Sequence, residues 1–324
     1  MLNSFILMEC ARCAGGGLCT VDSRDHRAVD VVTYHNDIAR TGQNLNETVL
    51  TPANVNAGDF GKIAFLPVDG KVDGQPLYLS HLRVADRSHN VVFAASEHDS
   101  VFAFDADSGE QLWRVSLLGA GETPSDDHGC SQINPEISVT STPLIDRRRG
   151  ANGVIYLVAM SKDGSGNYHQ RLHALDITTG ADLFGAPVDI QATYPGNGAN
   201  SFSGEVVFDP KQYAERVGLL LLNGVVYTGW TSHCDISPYT GWLIGYDAAT
   251  LTQKGVLNLT PNGSEGSIWM SGAGLAADAR RNIYFLDANL TVRLTLRWMR
   301  MVSRSTATTA TGFEGFNLWS FCGS

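Results

Sequence analysis

A chain of 324 residues, 43% hydrophobic and 17% charged, has the make-up of a folded protein and is long enough for one large domain or two ordinary ones. Its formal net charge of −10 argues against a nucleic-acid surface as the main function. No run approaches the roughly 18 consecutive apolar residues of a membrane helix, and 34 glycines with few helix-favouring stretches point to short strands and turns.

Residues 1–30 form a poorly patterned leader. "MLNSFILMECARCAGGGLC" has a short apolar run but no basic stretch ahead of it, so it makes a poor secretory signal; a degraded leader and a misassigned start codon are the alternatives. Cys10, Cys13 and Cys19 lie here and Cys322 lies near the other end, which leaves Cys130 and Cys234 as the one pair inside the patterned body.

From residue 31 to 289 the pattern is one of repeated strands. "VFAFDADSGEQLW" from Val101, "LHALDITTGADLF" from Leu172 and "LIGYDAATLTQKG" from Leu243 align without a gap, and their aspartates Asp105, Asp176 and Asp247 recur every 71 residues. A fixed period marks a repeat architecture. A β-branched or aromatic run precedes each segment, at Val91, Val154 and Val225, and a further strand candidate precedes each run, at Gly74, Ser141 and Gly218, with a fourth at Gly272. The repeated Asp is a structural turn residue that accepts backbone N–H bonds, and the glycine four residues on supplies a positive φ. "DAATL" lacks that glycine, so the turn at Asp247 is expected to close differently. Four antiparallel strands per repeat predict an all-β fold, a β-propeller of four-stranded antiparallel blades, with three good blades and the beginning of a fourth. A β-sandwich would not impose the equal spacing.

"AFDADSGEQLW", "YHNDIARTGQNLNETVLTPANVNAGDFGK", "CSQINPEISVTSTPLID" and "SIWMSGAGLAADARRNIYF" resemble the pyrroloquinoline-quinone-like (PQQ-like) propeller proteins of bacteria, over roughly residues 31 to 289. The resemblance implies the fold and a periplasmic or extracellular setting. It leaves activity open, because that group holds quinoprotein dehydrogenases as well as non-catalytic scaffolds. The quinoprotein alcohol dehydrogenases carry an adjacent Cys-Cys pair beside the quinone; this chain has none, and neither their catalytic aspartate nor their calcium ligands are placed by motif.

Residues 290–324 diverge. They carry no acidic residue until Glu314 and no repeat of the Asp turn, as expected of a tail read out of frame and a propeller left incomplete. The alternative is a genuine tail in which Arg293, Arg297, Arg300 and Arg304, at helical spacing, line a basic amphipathic helix.

In a four-stranded blade the loop between the second and third strands shares a face with the connection to the next blade. "SHCDISPYTGW" is a loop of the first kind and "LGAGETPSDDHGCSQINPEIS" a connection of the second, so Cys130 and Cys234 fall on one face and are a candidate disulfide in an oxidising compartment. A zinc site drawing on Asp126, Asp127, His128, Cys130, His233, Cys234 and Asp235 is the weaker alternative, since the close ligand spacings are missing. A Cys234–His233 nucleophile pair is weaker still, because neighbours on an extended chain point apart.

The same face offers Glu97, His98, Asp99, Glu136, His233, Asp235 and Trp269 as a candidate ligand-binding rim, with Trp230 nearby. Packing between blades is the plainer role for both tryptophans, and backbone hydrogen bonding for Asp99 and Glu136. No phosphate loop, nucleophile elbow or zinc-protease helix is present. The expectation is a non-catalytic PQQ-like propeller acting as a binding or scaffold module in the bacterial envelope or outside the cell. It would need no cofactor or metal, and its partner would be an unidentified small molecule or protein. A PQQ- and calcium-dependent alcohol or sugar dehydrogenase is one alternative, and a docking scaffold of the outer-membrane-assembly type another. Open blade edges would also favour self-association.

Overall fold

The structure is a computed structural model that describes residues 29–288, apart from 48–49, 59–60 and 63, and the backbone of Arg297–Met301 and Phe316–Ser320. Cys10, Cys13, Cys19 and Cys322, most of the leader, Arg293 and Arg304 lie outside the described residues. Among the described residues there is no α-helix, and so no helix long and apolar enough to cross a membrane.

The strands follow the repeat. The first blade is β1 (Leu77–Val84), β2 (Arg87–Ser96), β3 (Ser100–Asp105) and β4 (Gln111–Ser116), antiparallel and in chain order. The connection onward gives β5 (Thr123–Asp126) and β6 (Glu136–Ile137), which extend the second blade of β7 (Leu144–Asp146), β8 (Val154–Lys162), β9 (Tyr168–Asp176) and β10 (Val188–Asp189). A small sheet of β11 (Thr193–Pro195), β12 (Ser201–Phe202) and β13 (Glu205–Val207) follows. The third blade has a split inner strand, β14 (Tyr213–Glu215) and β15 (Leu220–Leu222), then β16 (Val225–Ser232), β17 (Trp242–Asp247) and β18 (Gln253–Asn258). The last sheet is β19 (Ala276–Ala277), β20 (Ile283–Tyr284), β21 (Arg297–Met301) and β22 (Phe316–Ser320).

Register repeats as faithfully as sequence. Val91 pairs with Asp105, Val154 with Asp176 and Val225 with Asp247, so the first residue of each apolar run faces the repeat aspartate. The inner strands begin side by side, as propeller geometry requires: Gly74 abuts Ser141, the Leu219 N–H donates to Thr142 O (3.1 Å), and Gly218 bridges Gly274 in parallel. These are the four sites at which the sequence places an inner strand. Residues 31–40 run among them; the Arg40 guanidinium donates to the carbonyls of Leu219 and Leu275, and Ile145 N–H to Val32 O.

Apolar cores lie between blades. Val91, Phe93, Leu157 and Leu175 share one between the first and second, and Tyr156, Trp230, Tyr213 and Trp242 share one between the second and third. Trp230 is fully buried and takes the packing role.

Two expectations need correction. The turn at Asp247 closes as the others do: the N–H groups of Gly109, Gly180 and Leu251 each donate to the carbonyl of the repeat aspartate at 2.8 Å. Leu251 itself takes the left-handed conformation (φ 55°), because its side chain is buried in the core between blades two and three. Arg297 and Arg300 lie on a strand and not on a helix, since β21 pairs antiparallel with β20 and β22.

Candidate functional site

One face collects the loops that follow β2 and β16 and the connections into the next inner strand. The loop after β2 is short because Ser96 pairs with Ser100, leaving Glu97, His98 and Asp99 to turn the chain, whereas the loop after β16 is longer, since the last pair there is Trp230 with Trp242. Asp99 makes that turn in the left-handed region (φ 53°), which aspartate tolerates better than most residues.

The seven rim candidates do not form one cluster. Glu97, Asp99 and His233 lie beneath the surface and not on an open rim; Ser138 and Thr140 sit against Glu97, and His128 stacks on His233. Glu97 Oε2 accepts the Ser138 N–H (2.6 Å) and the Thr140 hydroxyl (3.2 Å). Burial pushes Glu97 up to about 8, and the nearby Asp73 charge adds to it. Asp99 is likewise pushed up to about 8 by burial, with Glu122 and Glu136 contributing. Its carboxylate oxygens make no hydrogen bond to either neighbouring backbone, contrary to the plainer role read for it. Glu136 also turns away from backbone and pairs with His98, Nδ1 to Oε1 at 2.9 Å, at the open edge of blades one and two.

Cys130 and Cys234 are joined, with Cα atoms 6.0 Å apart and a sequence separation of 104. Paired sulfurs offer no thiolate to zinc or to a substrate. His128 stacks on His233 beside them (centroids 4.1 Å, planes 13° apart). Burial, then the His128 charge, holds His233 down to about 3, so it is neutral at pH 7. Asp126 accepts from Lys162 Nζ (2.5 Å) and the Tyr168 hydroxyl (2.9 Å), which holds its carboxyl down to about 2 against the opposing effect of burial. Among the described residues no group of three or more His, Cys, Asp or Glu is arranged to hold a metal ion.

Asp235 and Trp269 do come together. With Gln132, Ser232 and Ala288 they line a cavity of about 180 Å³ where the connection between blades one and two meets the β16–β17 loop and the approach to β19. The disulfide fixes two of its walls, since Gln132 lies two residues after Cys130 and Asp235 one after Cys234. The Arg216 guanidinium lies over the Trp269 ring, 5.1 Å from its centroid, and reaches Asp73 Oδ2 at 3.8 Å.

Glu215 and Arg216 escaped the sequence reading. Glu215 is buried on β14 and pushed up to about 8 by that burial, its Oε1 facing the Gly229 N–H at 3.4 Å. The local string "YAERVG" has no motif; only the adjacency of two charges in an otherwise apolar inner strand could have drawn attention to it.

No protein-family model matches this chain, and no curated protein does. Among solved structures it is similar to the quinohemoprotein alcohol dehydrogenase ADHIIG of Pseudomonas putida HK5, with 18% identity over 69% of this chain and 29% of that one and a TM-score of 0.45. The quinohemoprotein alcohol dehydrogenase of Comamonas testosteroni is 18% identical over 81% of this chain and 35% of that one, TM-score 0.45. BamB of Moraxella catarrhalis is 12% identical over 68% of this chain and 72% of that one, TM-score 0.23. The chain thus spans about a third of the length of the two dehydrogenases.

Proposed function

We propose that this chain is a non-catalytic propeller module that binds a small ligand on the face bearing the Asp235–Trp269 cavity, in the periplasm or outside the cell. The observation that carries the reading is the convergence of an aromatic ring, a carboxylate, an amide and a hydroxyl on one small recess in a rigid scaffold. The Cys130–Cys234 pairing fits an oxidising setting.

A PQQ-dependent dehydrogenase is the rival. Its quinone is a tricarboxylate, and the two bases beside Asp73, Lys71 (3.5 Å) and Arg216 (3.8 Å), both already face that carboxylate. The single described cysteine pair joins two distant loops and is not an adjacent Cys-Cys. We read these residues as unsuited to that cofactor. The deciding experiment is a small-molecule binding screen read by thermal shift on the wild-type chain, Trp269→Ala and Asp235→Asn. Ligands lost on both substitutions are the expected result. Dye reduction with alcohols or sugars after incubation with the quinone and calcium would refute the proposal.

A further inference from the structure

Resting on that reading, we propose that the ligand of the Asp235–Trp269 cavity is a small organic cation, of the primary to quaternary ammonium class. Among the described residues the cavity wall is Gln132, Ser232, Asp235, Trp269 and Ala288, with no lysine, arginine or histidine. An ammonium group is attracted by a carboxylate and by the negative face of an indole, and those are the two strongest recognition groups in the wall. The Trp269 ring already accepts one cation of the chain's own, the Arg216 guanidinium.

The surroundings keep the potential negative. Asp235 Oδ1 accepts the Tyr239 hydroxyl at 3.3 Å, and among the described residues no basic side chain lies within ion-pair distance of it. His233, the adjacent residue, is buried and neutral at pH 7 and so adds no opposing charge. Arg216 shares the Asp73 carboxylate with Lys71, at 3.8 and 3.5 Å. At long range the net charge of −10 draws cations towards the molecule.

Size limits the class. A cavity of about 180 Å³ is close to the roughly 150 Å³ that accommodates benzene in an engineered protein cavity. That suits a ligand, or a ligand head group, the size of choline. The Gln132 amide is the group left to meet a hydroxyl or carbonyl at the far end of the same molecule, since the Ser232 hydroxyl already accepts from Gln212 Nε2 (2.8 Å) and donates to the Ile236 carbonyl (3.2 Å).

The test is titration calorimetry of the full chain with choline, with its neutral isostere 3,3-dimethylbutan-1-ol and with glucose. Choline is expected to bind saturably, at least fivefold more tightly than the isostere, and to weaken at least threefold in Asp235→Asn. Asp235→Lys, which places an ammonium in the same recess, is expected to abolish binding; an unchanged urea midpoint shows that the variant is folded. If the isostere binds as well as choline, or glucose binds and choline does not, the cation inference is overturned and the cavity reading stands. If none of the three binds to the wild-type chain, both are overturned.

Discussion

The Cys130–Cys234 link should be a major contributor to stability, and it acts mainly on the unfolded chain. It closes a loop of 104 residues that holds the whole second blade and the first half of the third. Chain entropy for a loop of that length gives about 4.7 kcal/mol at 25 °C, the upper end of what native disulfides deliver. The folded state loses little when the link is absent, because Trp230, Tyr213, Tyr156 and Trp242 still pack between the two blades. The expected result is therefore a double variant Cys130→Ser/Cys234→Ser that folds and unfolds at a clearly lower urea concentration. Its slope against urea should rise slightly, because an uncrosslinked unfolded chain exposes more surface. Tryptophan fluorescence during urea titration reads both quantities. The double variant is the cleaner perturbation, since a reductant also reaches Cys10, Cys13, Cys19 and Cys322. Identical midpoints for the air-oxidised wild type and the variant, or titration of both thiols in the folded wild type, would refute the reasoning.

Other consequences can be read from single residues. At position 251 glycine should be tolerated better than alanine: both lose the buried side chain, at about 2–5 kcal/mol, but only glycine relieves the left-handed cost of about 1–2 kcal/mol. Urea midpoints that rank Leu251→Ala above Leu251→Gly would show that φ 55° costs nothing there. Gly109 and Gly180 occupy equivalent turns with φ near 75°, yet a Cβ at Gly180 would sit 2.6 Å from Val115 Cγ1 and 3.0 Å from the Trp113 ring, whereas at Gly109 the nearest atom is 3.6 Å away. Gly180→Ala should therefore cost about 1–3 kcal/mol more than Gly109→Ala, the overpacking share, and equal losses would deny the contact between blades. Glu97, Asp99 and Glu215, pushed up to about 8, hold protons in the folded chain that the unfolded chain gives up near pH 4. Their stabilisation is complete below the unfolded values and is lost as pH rises to about 8, while His233, held down to about 3 from 6.5, acts in the opposite sense up to about pH 6.5; the urea midpoint should therefore fall most clearly between about pH 6.5 and 8, and Glu215→Gln should flatten that fall. Glu122 and Asp126, both held near 2, act below pH 4.5 and do not enter it; a Glu215→Gln profile parallel to wild type would refute the assignment.

Local periodic features were legible and convergent ones were not. The apolar runs and the Asp turns are each encoded within a few residues, so the strands and turns could be read from the sequence, whereas the pairing of Val91, Val154 and Val225 with their aspartates came from the structure, since the spacing differs between blades. The cysteines, 104 residues apart, could be matched because blade topology assigns each loop to a face. Leu251 defeated the turn rule because a tertiary gain, burial between blades, outweighs a local preference for glycine. Glu215, Arg216 and Asp73 went unread because the inner strands bring them to one face from separate blades, and no spacing in the chain records that.

The repeat itself supplies a criterion for where function lies. A residue present at the same position in every blade is explained by the blade; Asp105, Asp176 and Asp247 each accept the N–H of the residue two further on, at Asp107, Thr178 and Ala249. Glu97 has no such explanation, since the same offset from the residue that pairs with the repeat aspartate (Val91, Val154 or Val225) falls on Met160 in the second blade and Thr231 in the third. A buried carboxyl costs free energy wherever it sits, so a scaffold that places an apolar or hydroxyl side chain at two of three equivalent positions has no structural need of an acid at the third. The same holds for Cys130, Cys234, Asp235 and Trp269, which belong to connections and not to the repeated strands. The singular residues gather on one face, where the loops and inter-blade connections meet, and that coincidence makes this face the place to look for the ligand.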